Sequence, residues 1–420
     1  MIGVAMSRPA PSIPMQRLQR ADRFLGRLVL TALQPWRWIR RLRPARDASR
    51  VRRVLLIKFW GVGSLQLLTP AVRSLRQRHP GARLVLLTLE GNADFAGGLG
   101  VFDELRCLDV SGGSWRKIAL RVLRLLAGLR ADAYDRVYDF EFFTRFSALV
   151  SFVAGAPRSH GFSSTSAWRG GLHTDDVTFN RYWHVARNFR ALAGGEDGAE
   201  LSWRDLAPYE VEARERLALG AKLAAAGLAP ATPYLVLNPN AGQLSLERRW
   251  PRERFTALAE RALATWDGAV VLIGSAHERA YTAGVGTEAR DGGRLLDLCG
   301  ELTMGELCAL LEGARAVVSN DSGPMHLAAA LGAPTLGLFG PETPLMYEPL
   351  GEHARSLWRP TVCSPCINVH QGKVATCIHE RPECLENIGV DEAWNWLAAQ
   401  LASRPRRLRL AAGSVEAVDA

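Results

Sequence analysis

Between Val317 and Pro344 the chain reads VVSNDSGPMHLAAALGAPTLGLFGPETP, a stretch that few fold classes can accommodate. Apolar Val317-Val318 leads into the polar turn Asn320-Asp321-Ser322-Gly323, and a helix is expected from Pro324 to about Leu331. Pro324 suits a first helical position, where its missing N–H has no partner to lose. Gly332 and Pro334 stop the helix, and Thr335–Phe339 is a second apolar strand. Strand, helix and strand in so short a span make a parallel βαβ crossover, which places the chain in the α/β class. The amino end of that helix offers backbone N–H groups and the positive pole of a dipole, which suits a phosphate. His326 in the first turn could donate to the same anion. The competing reading is an ordinary crossover with a packed histidine.

The same grammar recurs along the chain. Arg53–Lys58 (RVLLIK) is the near-continuous apolar run of a parallel strand buried on both faces. It leads into Gly61-Val62-Gly63-Ser64 and an amphipathic helix ending near His79-Pro80. Pro70 falls inside that pattern, so the helix is expected to start there or to kink. Arg83–Leu89 is the next strand, which puts the glycine loop at a strand's carboxyl end, where open α/β sheets bind ligands. Arg136–Asp139 is another strand, and Asp139-Phe140-Glu141 sets two acids at its end. Either could act as a general base or belong to a structural ion pair. After an Ala-rich helix (Val211–Ala226) and Pro230 and Pro233, a second run of alternation opens at Tyr234–Leu237. The expected division is an arm over 1–50, a Rossmann-like domain over 51–205 and a linker over 206–232. A second Rossmann-like domain over 233–402 and a tail over 403–420 complete it.

The net charge of +10 is not spread over the 420 residues. Residues 1–53 hold 13 Arg, no Lys and 2 Asp, which is +11, so the other 367 sum to −1. Basicity therefore belongs to the arm, and with no nucleic-acid-binding module following it no nucleic-acid partner is expected. Within the arm Phe24, Leu25, Leu28, Val29, Leu33 and Trp36 fall at near-helical spacing among Arg17, Arg20, Arg23 and Arg27. Arg with Leu and Trp on one helix suits a membrane interface near anionic headgroups, so residues 15–43 are expected to contact an inner-membrane surface. The alternative is a helix packed on the body. No apolar run of about 18 residues suggests a spanning helix, and no signal-peptide core is apparent. The expected location is cytoplasmic, peripheral at the inner face of the membrane.

Seven cysteines in a chain of this size are not a secreted disulfide scaffold. Four of them cluster as Cys363-x2-Cys366-x10-Cys377-x6-Cys384. That spacing allows a structural zinc site, paired or redox-active thiols, or plain loop cysteines.

Four blocks together carry a family resemblance: Val54–Pro70, Asn238–Trp250, Leu272–Glu278 and Ser319–Pro344. The chain resembles the ADP-heptose:lipopolysaccharide heptosyltransferases, glycosyltransferase family nine. The resemblance implies a GT-B fold, two Rossmann-like domains facing across a cleft, with the acceptor on the N-terminal side and the nucleotide-sugar on the C-terminal side. It implies inverting, metal-independent transfer, no required cofactor, an ADP-linked sugar donor such as ADP-heptose, and a lipid-linked glycan acceptor. By position, Asp321, Ser322, Gly323 and His326 would surround the diphosphate. Arg248 takes the place of a family Lys that pairs with phosphate, keeping the charge and adding a bidentate fork. Glu278 matches an acid that holds the ribose hydroxyls, and Gly61 and Gly63 lie in the acceptor-side loop.

One departure bears on mechanism. Many family members carry Gly-Asp where this chain has Gly63-Ser64, and that Asp is the proposed base for the acceptor hydroxyl. A serine hydroxyl at its ordinary ionisation cannot take that proton. Glu141, and after it Asp139, are therefore the expected bases, with Ser64 positioning the acceptor. Proton transfer to a water or to the donor phosphate, and a non-catalytic nucleotide-sugar-binding protein, are the alternatives.

Overall fold

The apolar runs Val54–Ile57 and Leu84–Leu87 are buried along their whole length, as a sheet covered on both faces requires. The structure, a computed structural model, describes residues 15–36, 51–112, 114–163, 168–194, 202–242, 245–286, 292–367 and 376–403. The first sheet comprises β1 (Arg53–Ile57), β2 (Arg83–Leu89), β3 (Glu104–Leu108), β4 (Arg136–Asp139), β5 (Arg158–Ser163) and β6 (Asp175–Thr178). The second comprises β7 (Tyr234–Asn238), β8 (Ala269–Leu272), β9 (Leu295–Asp297), β10 (Val317–Asn320), β11 (Thr335–Phe339) and β12 (Ala354–Trp358).

Strand orders are 3-2-1-4-5-6 and 12-11-10-7-8-9, the same doubly wound order in both sheets. Pairing is parallel throughout, for example Leu55 opposite Val85 and Val137, and Val318 opposite Leu336 and Leu237. The winding reverses between β1 and β4 in one domain and between β7 and β10 in the other. Crevices form at the carboxyl ends of those pairs, and both named glycine and polar turns sit there. The chain therefore has the expected GT-B architecture.

The helices of eight residues or more are α1 (Met15–Ala32), α2 (Val62–Arg78), α3 (Trp115–Ala131), α4 (Arg145–Ala154) and α5 (Val185–Leu192) on the N-terminal side. Those that follow are α6 (Ala213–Ala225), α7 (Arg252–Thr265), α8 (Met304–Gly313), α9 (Gly323–Ala330) and α10 (Val390–Ala402). Leu129 of α3 and Val150 and Ala154 of α4 pack with Leu55, Ile57, Val85 and Leu87 on one face of the first sheet. Leu68, Val72 and Leu75 of α2 and Phe189 of α5 pack with Val54, Leu56 and Leu84 on the other.

Three local features add to the sequence reading. The helix after β1 neither starts nor breaks at Pro70; α2 begins at Val62 and carries Pro70 inside it. Proline leaves the carbonyl four residues earlier without its helical donor. Here the hydroxyl of Thr69 donates to that carbonyl, Gln66 O, at 2.8 Å, and accepts from Ala207 N at 3.0 Å. Second, the helix within the expected linker, α6, packs on α8 of the C-terminal domain. Arg216 pairs with Glu312 and Lys222 with Glu306 across that contact.

The third concerns the arm, where α1 docks on α4 of the body, the alternative that the sequence left open. Its body-facing stripe is mostly polar or small: Asp22, Gly26, Leu30 and Gln34. Asp22 accepts from Arg145 N and Phe146 N, Leu30 is fully buried, and Gln34 donates to Gly170 O at 3.0 Å. A methyl group on Gly26 would lie 2.7 Å from Arg145 Cβ, so the approach requires glycine. Phe24, Leu25, Leu28, Val29 and Trp36 point outward instead. Residues 37–43 of the expected membrane segment lie outside the described residues, as do residues 1–14 and 404–420.

Candidate active site

The site is built from the loop after β1 on one side and the loops after β7, β8, β10 and β11 on the other. In the C-terminal domain β10 ends at Asn320, and the chain turns through Asp321 and Ser322 into α9. Ser322 is the N-cap residue in an extended conformation, yet no side chain caps the helix. Its hydroxyl is used elsewhere, donating to Asn320 O at 3.1 Å and accepting from Asn238 Nδ2 at 2.8 Å. The first backbone N–H groups of α9 therefore belong to the cleft, together with the positive end of its dipole.

Arg248 lies against the same turn. Its Nη1 donates to Asp321 O (2.8 Å) and Oδ2 (3.3 Å), and its Nη2 donates to Ala241 O (2.6 Å). The guanidinium thus spans the loops after β7 and β10 and brings a positive charge to the amino end of α9. Glu278 is also where the sequence puts it, just beyond β8, but its carboxylate is heavily engaged. One oxygen accepts from Ser275 N and Oγ in a capping box, and the other from Gly242 N, with Arg249 Nη2 at 3.4 Å. It ties the β7 and β8 loops together.

Across the cleft α2 starts at Val62, after Gly61 in the left-handed region (φ 83°) that favours glycine. A Cβ built on Gly63 would stand 2.8 Å from His326 Cδ2 and 3.1 Å from Gly323 Cα. The amino ends of α2 and α9 therefore meet, with Ser64 in the first turn of α2. His326 is buried at that contact, and so is His184, the residue before α5. His184 Nδ1 accepts from Ala186 N (3.2 Å), and its Nε2–H donates to Glu348 O in the other domain (3.1 Å). Burial, and then the charge of His326, push His184 down to about 3.

The two acids expected as bases are both buried and ion-paired. Glu141 is fully buried, and its Oε1 accepts from Lys58 Nζ (2.8 Å), Phe59 N (2.8 Å) and Trp60 N (3.1 Å). It anchors the start of the β1–α2 loop from below. Asp139 is equally buried, accepting from Glu141 N on one oxygen and from Arg169 and His173 on the other. Burial pushes Asp139 up, but Arg169 and His173 more than offset it, leaving its carboxyl below the usual range. A strand-end pair looks the same in sequence whether it opens to solvent or is closed over. What closes this pair, Lys58 and Arg169, comes from distant segments.

Sequence reasoning missed Glu342. It directly follows Gly340-Pro341 at the end of β11, is buried, and accepts from Thr343 N at 3.0 Å. Burial drives the hydroxyl of Tyr347 far up, with further effects from Glu342, Asp321, Arg248 and Glu141. Its position after the Phe339-Gly340-Pro341 block was the available signal.

The cysteine cluster supports that loop from behind. Cys366 N and Ile367 N both donate to Pro341 O, and Cys384 lies against Gly340. The four thiols feel one another: burial pushes Cys384 up to about 11, with Cys366, Cys363 and Cys377 adding to it. Cys363 Sγ lies 3.8 Å from His379 Nε2. Among the described residues, however, no group of three or more His, Cys, Asp or Glu side chains could hold a metal ion. The zinc expectation is therefore not met by this geometry.

Two Rossmann-like domains that meet across switch-point crevices make a GT-B fold. A model of glycosyltransferase family 9 (heptosyltransferase) matches residues 122–376, and the chain belongs to that family. It is 31% identical over 248 residues to lipopolysaccharide heptosyltransferase 2 of Escherichia coli, a match covering 54% of this chain and 66% of that protein. It is 25% identical to lipopolysaccharide heptosyltransferase 1 of Pseudomonas aeruginosa over 85% of this chain and all of that one. Among solved structures, that of the E. coli ADP-heptose lipopolysaccharide heptosyltransferase II superposes with a TM-score of 0.65 at 24% identity, covering 83% of this chain and 98% of that one.

Proposed function

We propose that the protein catalyses inverting, metal-independent transfer of a sugar, heptose foremost, from an ADP-linked donor to a membrane-anchored glycolipid or polysaccharide precursor. The observation that carries this reading is Arg248 bound to Asp321 beside the uncapped amino end of α9. As the glycosidic bond breaks, charge grows on the departing diphosphate, and preorganised donors must meet it. The amides of Gly323 and Met325, the Arg248 fork and His326 fill that role. The names of the relatives support heptose and ADP, and the adjoining amino end of α2 supports an acceptor held by Ser64.

The acceptor hydroxyl must lose its proton as it attacks. Glu141 and Asp139 are paired in the interior with Lys58 and with Arg169 and His173, and we assign the proton to Glu342 for its place directly after Gly340-Pro341 at the end of β11. In-line inversion puts the leaving diphosphate on the face opposite the attacking oxygen, which disfavours direct transfer to the donor phosphate. Peripheral attachment at the inner face of the cytoplasmic membrane brings the enzyme to a lipid-linked acceptor.

A thermal-shift titration of the full chain with ADP, UDP, GDP and CMP tests the donor class, because a ligand that binds only the folded state raises its apparent stability. Stabilisation by ADP, followed by sugar transfer from ADP-heptose to a heptose-deficient lipopolysaccharide acceptor, is the expected result. Stabilisation by another nucleotide alone would overturn the ADP assignment. No shift with any of the four would overturn the donor site.

A further inference from the structure

Two helices of the N-terminal domain turn apolar side chains to solvent, and both pack against α4. On α1, Phe24 is 70% exposed and Leu28 58%, with Leu25 and Val29 also exposed, and Trp36 follows just beyond the helix. The helix docks through its narrow Asp22–Gln34 stripe and leaves the wider apolar face uncovered, the reverse of an ordinary surface helix. On α3, Leu123 is 63% exposed, and Trp115 and Leu120 are half exposed. Scattered single exposures are normal, but here seven large apolar residues are exposed on the two helices that flank α4, with Trp36 just beyond the end of α1.

The charge on these helices has one sign. α3 carries Arg116, Lys117, Arg121, Arg124 and Arg130 and no acid. α1 carries Arg17, Arg20, Arg23 and Arg27, and its single acid, Asp22, is spent on the amino end of α4. Arg27, Arg116, Lys117 and Arg124 are exposed.

We propose that the outer faces of α1 and α3 together form a surface that lies on an anionic lipid bilayer, with α3 a full partner of the arm. The apolar side chains enter the headgroup boundary and the basic ones pair with lipid phosphates. A second copy of this chain fits less well, since two such faces would bring like charges together. The surface rests on the lipid-linked acceptor reading for its use, because only a membrane-borne acceptor rewards it.

The test is co-sedimentation of the full chain with vesicles of phosphatidylcholine alone or mixed with phosphatidylglycerol. Wild type is expected to pellet with the anionic vesicles only, and less so as salt rises. Leu120→Ser with Leu123→Ser on α3, and Phe24→Ser with Leu28→Ser on α1, should each lower the partition about 10-fold or more. Arg116→Glu with Arg124→Glu should do the same without touching an apolar residue, and unfolding curves matching wild type confirm that all three fold. Wild-type partition by either α3 variant overturns the two-helix surface, as does failure of wild type to bind. A concentration-dependent dimer abolished by the same substitutions assigns the patch to self-association and overturns it too. Transfer to a delipidated acceptor stays at the wild-type rate in every variant, whereas failure of the transferase reading removes that activity from wild type itself.

Discussion

Asp22 accepts a hydrogen bond from the backbone N–H of Phe146, 124 residues further along the chain, at 2.7 Å. A second, from Arg145 N at 2.9 Å, makes its carboxylate the N-cap of α4, where Thr144 makes no side-chain cap of its own. Asp22→Ala should cost about 1–2 kcal/mol in urea unfolding. It should also release α1, so that trypsin cuts after Arg27 sooner than in wild type. Unchanged stability and unchanged cleavage would show that Leu30 and Gln34 hold the arm alone.

Gly63 leaves room for His326 and Gly323 and for nothing else. Gly63→Ala should hold the two domains apart at the point of transfer and lower kcat/KM about 10²-fold, the cost of a misplacement near 1 Å. Donor affinity, which rests on the C-terminal domain, should stay near wild type in calorimetric titration. A variant with wild-type kcat/KM would mean that catalysis does not need this approach.

Glu141 and Glu342 should separate cleanly when each is changed to Gln. Glu141→Gln leaves Lys58 buried without its counter-charge and should destabilise the fold by about 3–5 kcal/mol, while kcat of the folded fraction changes little. Glu342→Gln should lose about 10²- to 10⁴-fold in kcat of its folded fraction, as removal of a general base does. The reverse pattern would return the role to Glu141.

His184 predicts a pH dependence. Its native pKa is about 3 against an ordinary value of 6.5. Below pH 6.5 the unfolded chain takes up a proton that the native state refuses, so stability is full above that value and lost as the pH falls. The slope is about 1.4 kcal/mol per unit, or about 2 kcal/mol between pH 6.5 and 5. Urea unfolding of His184→Gln should lose that much less over the interval than wild type. Parallel curves would remove His184 as the source.

What the sequence made legible was whatever local pattern determines. Apolar runs such as RVLLIK and YLVL gave strands, and glycine or Asn-Asp-Ser turns after them marked both switch points. What it hid was set by partners far along the chain. Asp139 and Glu141 alternate correctly at a strand end, but Arg169 and Lys58 decide that they are closed in. The spacing of Phe24, Leu28 and Val29 marked the apolar face of α1, yet its docking stripe, with a glycine and an aspartate in it, has no pattern to read. Pro70 would ordinarily end a helix, and only the hydroxyl beside it, Thr69, spares that one.

The meeting of α2 and α9 at Gly63 and Gly323 carries an electrostatic consequence. Both helices present their positive poles, roughly half an elementary charge each, to the same small volume. Without an anion between them these are like poles held face to face, and the seam resists shutting. A diphosphate beside that contact attracts both helix ends at once. A negative charge bound at one helix end is therefore felt by the other, so the acceptor-side helix shares electrostatically in holding the donor.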